Sequence, residues 1–519
     1  MKNLKKLGFA FLSGVVGAFA FAPYYIFPLL IASFCSLIYL LFHSQSYKES
    51  FLIGWIFGFG YFLGGLYWIS YPLIFYFLGF FWWLVPFAIM LIPCTLALYS
   101  GVCAVILHKL NNGNKIAFSI YFLCIWVFFE FLRNKLLTGF PWLIAGYSLV
   151  NWPELIQLAA WGGLFSLSFI ALFCPVICFL LIEALIQKKW TKGSAITCLA
   201  LIIIFLANAL YGWNRLNTSE TRLSSRDKVK IIQPNISTLL KRSTMDERAE
   251  QIINLAKLNP AEDSGLLYVL FAEGGLNSFT KEKLTKLIQA TVPKHGYLIG
   301  GGDRVDYSRR IAWNSAFIIN HNGEVLDIYD KTHLVPFGEY IPLKEELSVG
   351  LNAIVSAFSN GFIDFSRGSG PRTLLQKTKF PFSPSICYES LFSRDVVKKD
   401  VRGVRPQLLI NFTTDMWYKD SSGPYQHFDM SALRAVEYGI PMIRVAATGI
   451  SGIVDPYGRV LAKLPLNTRG TISNYVPLAL TCKTFYTAHG DTPILSLLIG
   501  AFLLTFIILH VICNRFKEK

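Results

Sequence analysis

Hydrophobic positions divide this chain into two textures. Through residue 213, and again near the carboxyl terminus, apolar residues run almost unbroken for lengths suited to a bilayer crossing, which takes about 20 residues. Such runs fall at 7–22, 26–43, 51–71, 83–108, 117–134, 162–186, 194–212 and 493–513, and they predict eight transmembrane helices. The first is glycine-rich and follows MKNLKK, in the manner of a signal peptide. Further spans follow at once, with no small-residue cleavage site leading into soluble sequence, so it is read as an uncleaved helix.

Between 214 and 491 the apolar runs shorten and are punctuated by Gly, Pro, Asn and Asp. KVKIIQPN, GLLYVLFAE, YLIGGGD, WNSAFIINH, VLDIYDKTH, FSPSICYE, QLLINFT, PMIRVAAT and GISGIVDPYG read as strands, while TKEKLTKLIQATV and FDMSALRAVEYG carry helical spacing. Strands apolar on both faces, alternating with helices, predict a layered α/β domain. The expected organisation is a seven-helix membrane domain over 1–213, an α/β domain over 214–491, and a closing transmembrane helix with a short tail over 492–519.

Composition strengthens the membrane reading: of 519 residues, 53% are apolar and only 15% charged, against roughly 25% charged in a soluble domain. The formal charge of +16 raises nucleic acid as a partner, but no interleaved basic and aromatic surface or recognition-helix motif accompanies it. Much of the Lys and Arg instead flanks the apolar runs, where it orients them. With the amino terminus inside, the inner segments carry Lys2, Lys5, Lys6, Lys48, Lys109, Lys115, Lys188, Lys189, Lys192, Arg515, Lys517 and Lys519, whereas the short outer loops carry only Arg133 and Lys135. This places 214–491 outside the cytoplasm. Glu130 and Arg133, one helical turn apart near a span end, are expected to pair with each other.

Eight of the ten cysteines, Cys35, Cys94, Cys103, Cys124, Cys174, Cys178, Cys198 and Cys513, sit in apolar runs, where a thiol behaves as a small hydrophobe. Only Cys387 and Cys482 fall in the outer segment. An oxidising compartment would permit a disulfide between them; the competing reading is a free catalytic thiol at Cys387. That reading needs partners, and strand ends supply them: Glu273 closes LLYVLFAE before two glycines, Lys331 follows VLDIYD and precedes a turn-rich segment containing Glu339, and Cys387 closes FSPSIC. A thiol near pKa 8.5 is mostly protonated at neutral pH, so a carboxylate is required as general base. A fixed ammonium then steadies the oxyanion of a tetrahedral intermediate. Glu, Lys and Cys thus suffice for acyl transfer through a thioester. His321, His333 and His427 fit no zinc spacing, and the glycine-rich IGGGD lacks the Lys and Ser/Thr of a phosphate loop. Neither a metal nor a cofactor is expected.

LFAEGG, YDKTHLVPFGEYIP and SICYES resemble the three catalytic motifs of the nitrilase, or carbon–nitrogen hydrolase, superfamily. The similarity is closer still to the apolipoprotein N-acyltransferase family, and covers nearly the whole chain: FAFAPYYIFPLL, GWIFGFGYFLGGLYWIS and EFLRNKLLTGFPWLIAGYSL resemble its membrane segments, and NFTTDMWYKDSSGPYQHFDMSALRAVEYGIPMIRVAATGISGIVDPYGRV its carboxy-terminal catalytic stretch. The resemblance implies a membrane helical bundle carrying an extracytoplasmic nitrilase-like αββα sandwich in the bacterial inner membrane, with the catalytic domain on the periplasmic side. It implies a ping-pong reaction in which Cys387 takes the sn-1 acyl chain of a phospholipid, typically phosphatidylethanolamine, and passes it to the α-amine of a diacylglyceryl-cysteine lipoprotein. By the family pattern Glu273 is the base, Lys331 the oxyanion stabiliser, and Glu339, Tyr388 and Glu389 supporting residues, with Trp417 at the substrate entrance. A monomer suffices. Two departures stand out: Lys241 and Arg242 follow QPNISTLL where members often have tryptophan, and ATG at 447–449 replaces a typical NNG. A membrane-anchored amidase or nitrilase acting on a small carbon–nitrogen substrate is the alternative with the same chemistry. The aromatic stretches YPLIFYFLGFFWW and GFPWLIAGY fall on the outer side and suit either an apolar doorway or an interfacial belt.

Overall fold

The computed structural model describes residues 2–72, 85–236, 244–259, 263–336, 338–340, 342, 364–375, 378–397 and 403–517. Most of the aromatic stretch at 71–83 lies outside them, as do Lys241, Arg242 and Lys519. The chain forms two compact units: Met1–Ile74, Phe81–Glu220 and Lys483–Lys519 make the first, and Thr221–Cys482 the core of the second.

Helices make up the first unit: α1 (Lys2–Ala18), α2 (Phe27–Phe42), α3 (Tyr47–Leu66), α4 (Val85–Leu110), α5 (Lys115–Arg133), α6 (Ala159–Ala171), α7 (Phe173–Ile186), α8 (Lys192–Asn217) and, at the carboxyl end, a helix over Thr492–Lys517. Polar residues mark several starts. Ser46, Asn114 and Thr191 each accept a backbone N–H of the first turn through the side chain, as N-caps do. Among the described residues six stretches are long and apolar enough to cross a membrane: Tyr47–Ser70, Ile89–Leu110, Lys115–Arg133, Ala159–Ile186, Lys192–Asn217 and Thr492–Leu509. At 17 and 16 residues, α1 and α2 are shorter. The single run expected at 162–186 is delivered as α6 and α7 in succession, and Gly163 inside α6 has φ of 67°. Small residues let α3 and α4 approach closely: a Cβ on Gly54 would lie 2.5 Å from the Ser100 carbonyl oxygen.

Glu130 and Arg133 do not pair as their spacing suggests. Both are buried, and no ion pair joins them among the described residues. Instead Arg133 Nη1 donates to the carbonyls of Phe140 (2.8 Å) and Trp142 (2.5 Å), while Glu130 Oε1 accepts the Ala145 N–H at 2.8 Å. Buried charge must be matched; the loop that follows the helix supplies its own carbonyls to Arg133, while Glu130 Oε1 takes a loop N–H and the Trp126 indole N–H (3.3 Å).

Among the described residues of the second unit eleven strands form two sheets. One has the order β11 (Gly470–Pro477), β1 (Leu223–Gln233), β2 (Leu266–Phe271), β3 (Tyr297–Asp306), β4 (Ile311–Asn320), β5 (Val325–Asp330); the other runs β10 (Val460–Leu464), β9 (Ser451–Val454), β8 (Met442–Ala446), β7 (Leu408–Thr413), β6 (Phe382–Ile386). β1–β2–β3 in the middle of the first sheet and β6–β7–β8 at one side of the second are parallel, which explains why these segments read as near-continuous apolar runs. Alternation along each strand then sorts the layers. Val229, Ile231, Tyr268, Leu270, Ile299 and Ile318 face Phe382, Ile386, Leu408, Ile410 and Ile443 in one core between the sheets. The opposite face of the first sheet, with Ile232, Val269, Phe271 and Leu298, packs on α9 (Met245–Ala256) and α10 (Lys281–Thr291). A further helix, α11 (Gly423–Tyr438), lays Phe428 against Gly452 of β9 on the second sheet. The result is the helix–sheet–sheet–helix sandwich expected from the sequence.

Ile410 lies fully buried at the centre of β7. Ile410→Ala should therefore cost about 2 to 5 kcal/mol of stability, the range for truncating a large aliphatic core residue. Thermal unfolding followed by near-ultraviolet circular dichroism is the check.

Candidate active site

Glu273, Lys331, Cys387 and Thr414 each follow directly on, or within one residue of, a strand's carboxyl end: β2, β5, β6 and β7 respectively. The first two come from one sheet and the others from the second, so the inter-sheet core opens at this edge into a cluster of polar groups.

Cys387 begins a short turn of 3₁₀ helix and is buried, with φ of 51°. A left-handed backbone is costly for a residue with a Cβ, about 1 to 2 kcal/mol, and persists only where neighbours hold it. Those neighbours are specific. Ser390 Oγ donates to the Cys387 carbonyl at 3.1 Å, Asn411 Nδ2 lies 3.4 Å from the same oxygen, and His427 Nε2 lies 3.3 Å from it. Burial, followed by the negative charge of Glu273, pushes the thiol well above its ordinary pKa despite the opposing pull of Lys331 and Thr413.

Lys331 is 1% exposed at its side chain, with Nζ 2.8 Å from Glu339 Oε1 and 3.8 Å from Glu273 Oε1. Burial alone would lower an ammonium's pKa, but Glu339 and Glu273 together hold Lys331 above its usual value. Its charge is therefore permanent. For Glu273 the balance runs the other way: burial raises its carboxyl to about 6, partly offset by Lys331, with Glu339 adding to the rise. Glu273 is fixed at both oxygens, by Asn314 Nδ2 on Oε1 (2.7 Å) and the Thr414 backbone N–H on Oε2 (3.0 Å). Space for it is provided by Gly301 on β3, where a Cβ would come within 2.5 Å of the Glu273 Cα. Glu339 is held likewise, accepting from Asn314 Nδ2 at 3.1 Å and from the Val335 N–H at 2.8 Å.

The remaining expected residues are positioned as follows. Glu389, fully buried, is a tie between segments: its carboxylate accepts the N–H groups of Thr332 (2.6 Å), His333 (3.0 Å) and Ile386 (2.7 Å) and the hydroxyl of Tyr329. It thereby clamps the residues after Lys331 to the residue before Cys387. Tyr388 is buried and packs edge-on against His333 and Phe392. Trp417 stands half-buried in the turn after β7, two residues beyond Asp415. Cys482 is exposed, Cys387 is buried, and both thiols are free, so the disulfide considered from sequence is not formed.

Two features were missed by reading the sequence. Asn314 bridges the two carboxylates, and its carbonyl accepts the Lys331 N–H at 2.8 Å; the signal was a carboxamide inside the otherwise apolar strand WNSAFIIN. Behind the thiol lies a wholly buried network in which Arg444 Nη2 donates to both Asp415 oxygens (3.0 and 2.9 Å) and His427 Nδ1 lies 3.0 Å from Asp415. Burial would raise the Asp415 pKa, yet Arg444 and His427 pull it down to about 2. An arginine inside the strand PMIRVAAT was the sign. Among the described residues no cluster of three or more metal-ligating side chains occurs.

A buried base, a permanent cation and a thiol at one edge can carry nucleophilic acyl chemistry. Comparison with known proteins bears on which chemistry that is. The profile of the apolipoprotein N-acyltransferase N-terminal domain matches residues 13–177, and that of carbon–nitrogen hydrolase matches 228–484. An apolipoprotein N-acyltransferase of Rickettsia typhi is 33% identical over 508 residues, covering 96% of this chain and 98% of the relative. One from Rhodopseudomonas palustris is 30% identical over 511 residues, covering 94% and 92%.

Because the Asn314 amide stabilises the ionised form of Glu273, Asn314→Leu should raise the Glu273 pKa further above about 6. Infrared difference titration of the carboxyl band, assigned with Glu273→Gln, measures this. Gly301→Ala, whose Cβ would meet backbone atoms of Ala272, Glu273 and Gly274 within 3.0 Å, should displace Glu273 and lower both the melting temperature and any reaction that needs Glu273, read by paired activity and unfolding assays.

Proposed function

The chain belongs to the apolipoprotein N-acyltransferase family, and we propose that Cys387 is the nucleophile of its reaction. The enzyme is a bacterial membrane protein that moves an acyl chain from a phospholipid to the amino terminus of a lipoprotein, the last step of lipoprotein maturation. Acyl transfer of this kind proceeds in two halves. In the first, the Cys387 Sγ attacks the sn-1 ester carbonyl while Glu273 takes the thiol proton. The tetrahedral intermediate carries its negative charge beside Lys331 Nζ, and collapses to a thioester as Glu273 returns the proton to the departing lysophospholipid oxygen. In the second half the lipoprotein α-amine attacks the thioester, Glu273 removes a proton from the amine, and the thiol is restored.

The observation that carries this assignment is the meeting of Glu273, Lys331 and Cys387 at one edge with opposed proton affinities. A thiol pushed well up in pKa is not ionised at neutral pH, so its proton must leave as sulfur attacks. A carboxyl at about 6 is mostly ionised at pH 7 and still basic enough to take that proton. Lys331, held cationic, remains an oxyanion donor throughout. Glu339 then orients Lys331, Glu389 fixes the spacing of Lys331 to Cys387, Tyr388 backs the turn that presents the thiol, and Trp417 borders the approach of substrate.

Phosphatidylethanolamine is the donor we favour, and a single chain supplies every group named. The asymmetry of Lys and Arg about the apolar runs supports eight crossings in the inner membrane with the catalytic domain on the periplasmic side. The same asymmetry supports a seven-helix domain over 1–213, the catalytic domain over 214–491 and a closing helix from 492.

Incubation with phosphatidylethanolamine should give an acyl adduct on Cys387 by intact-mass analysis, stable until a diacylglyceryl peptide is added. Loss of the adduct to water without acceptor would mean a hydrolase, and no adduct would remove the thiol from the mechanism. Glu273→Gln and Lys331→Met should each slow adduct formation by about 100-fold or more, the scale for removing one transition-state donor. The rate of acylation should fall tenfold per pH unit below about 6, as protonation removes the base; a flat profile from pH 5 to 7 would exclude Glu273 from that role.

A further inference from the structure

The second sheet carries a polar layer on one of its buried faces. On the side turned away from the inter-sheet core, Ser385 of β6, Asn411 of β7 and Arg444 of β8 stand side by side in register. α11 lies over them and adds His427 and Ser431, one helical turn apart. All five residues are no more than 1% exposed. A buried guanidinium is tolerated only when its donors are met, and those of Arg444 are. Its Nε–H donates to the Ile450 carbonyl (3.2 Å), Nη1 to Asn411 Oδ1 (2.7 Å) and Ser431 Oγ (3.0 Å), and Nη2 to both oxygens of Asp415, with His427 Nδ1 also 3.2 Å from Nη2.

Because a guanidinium only donates, it dictates how its partners point. Asn411, with Oδ1 committed to Arg444, turns Nδ2 the other way, onto the Ser385 carbonyl (3.2 Å) and Oγ (3.1 Å) and to within 3.4 Å of the Cys387 carbonyl. Ser431 Oγ, with one lone pair taken, lies 2.8 Å from Ser390 Oγ, and Ser390 donates to the same Cys387 carbonyl at 3.1 Å. His427 sets Nε2 3.3 Å from that oxygen; facing a carbonyl, this nitrogen carries the ring proton, and Nδ1 accepts from Nη2. Three branches leave one arginine and end on one oxygen. That oxygen belongs to the residue whose backbone is left-handed, at φ of 51°, a conformation that persists only where neighbours hold it.

We infer that Arg444 is a positioning residue of the acyl transfer: acting through Asn411, through Ser431 and Ser390, and through His427, it pins the Cys387 carbonyl and so holds the turn that presents the thiol to Glu273 and Lys331. The inference rests on the proposed reaction in that Cys387 is its nucleophile. Arg444 touches no reacting atom; its effect is relayed by side chains whose direction it fixes. An apolar layer would fill the same space without buried charge, and it would leave the carbonyl without donors from these three branches.

The test uses full-length protein in nanodiscs containing phosphatidylethanolamine and follows the Cys387 acyl adduct by intact mass. Ser390→Ala and Ser431→Ala, small changes that leave Arg444 in place, should each slow acylation at saturating donor by about three- to tenfold, the scale of one lost hydrogen bond, with KM within about twofold of wild type. Since the two serines share a branch, the double variant should be no slower than the slower single, a coupling that unlinked positions do not show. His427→Gln, whose carboxamide keeps an N–H donor, should retain more of the rate than His427→Leu. Arg444→Lys keeps the charge beside Asp415 but loses the planar fork, and should slow acylation more than either serine variant; if it does not fold, the serine cycle decides. Lipid-free alkylation of Cys387 by iodoacetamide, located by peptide mass, should slow in parallel. Multiplicative effects of the two serines, losses expressed only in KM, or unchanged rates would overturn the proposal. A wild-type adduct indifferent to the serines would sink the relay alone; absence of that adduct, with alkylation still sensitive to both serines, would sink the lipid reaction and leave the relay standing.

Discussion

One ammonium held between two carboxylates inside a protein sets the terms for the rest of this catalytic domain. Removing three charges from water costs several kcal/mol per ion unless geometry and additional hydrogen bonds compensate. Lys331 meets Glu339 at 2.8 Å and Glu273 at 3.8 Å, and both carboxylates then draw further donors from Asn314, Thr414 and Val335. The asymmetry of the two contacts matters. Glu339, the nearer, anchors the ammonium, while burial raises the proton affinity of Glu273 and Lys331, the farther neighbour, offsets that rise only in part.

The same logic recurs behind the nucleophile. Arg444, Asp415 and His427 are all buried, yet they neutralise and bind one another, and His427 borders the Cys387 carbonyl while the residue before Asp415 supplies the N–H that holds Glu273. The proposed base and the proposed nucleophile are therefore tied to one buried network. Glu389 links Lys331 to it through backbone N–H groups on both sides. In the membrane unit, Glu130 and Arg133 are matched by loop backbone in a related manner. Buried charge in this protein organises the chain segments that leave strands and helices.

Most of the scaffold could be read from the residues because parallel central strands and long apolar helices write strong patterns. The three residues proposed as catalytic were legible as a cluster for a related reason: each is a polar residue interrupting an apolar run just where a strand must end. Asn314 and Arg444 were not recognised, since a polar residue within a strand carries no mark of which neighbour will satisfy it. β10 and β11 escaped notice because VLAKL and GTISNYVP are only half-buried and their alternation is weak. The pairing expected of Glu130 with Arg133 failed because spacing on a helix records proximity alone, and the carbonyl groups of Phe140 and Trp142 competed better for the guanidinium. Sheet order is encoded in contacts between distant segments, which no local pattern records.

The left-handed backbone at Cys387 also narrows the routes by which this site could change over evolutionary time. Of the two aliphatic hydroxyl nucleophiles only serine would be accommodated there, because threonine's branched Cβ is poorly tolerated at positive φ. Glycine, the residue most at ease in that conformation, has no nucleophile to offer. The backbone thus excludes one hydroxyl residue while the most comfortable residue would abolish the nucleophile, so a thiol or a primary alcohol is what this turn can present.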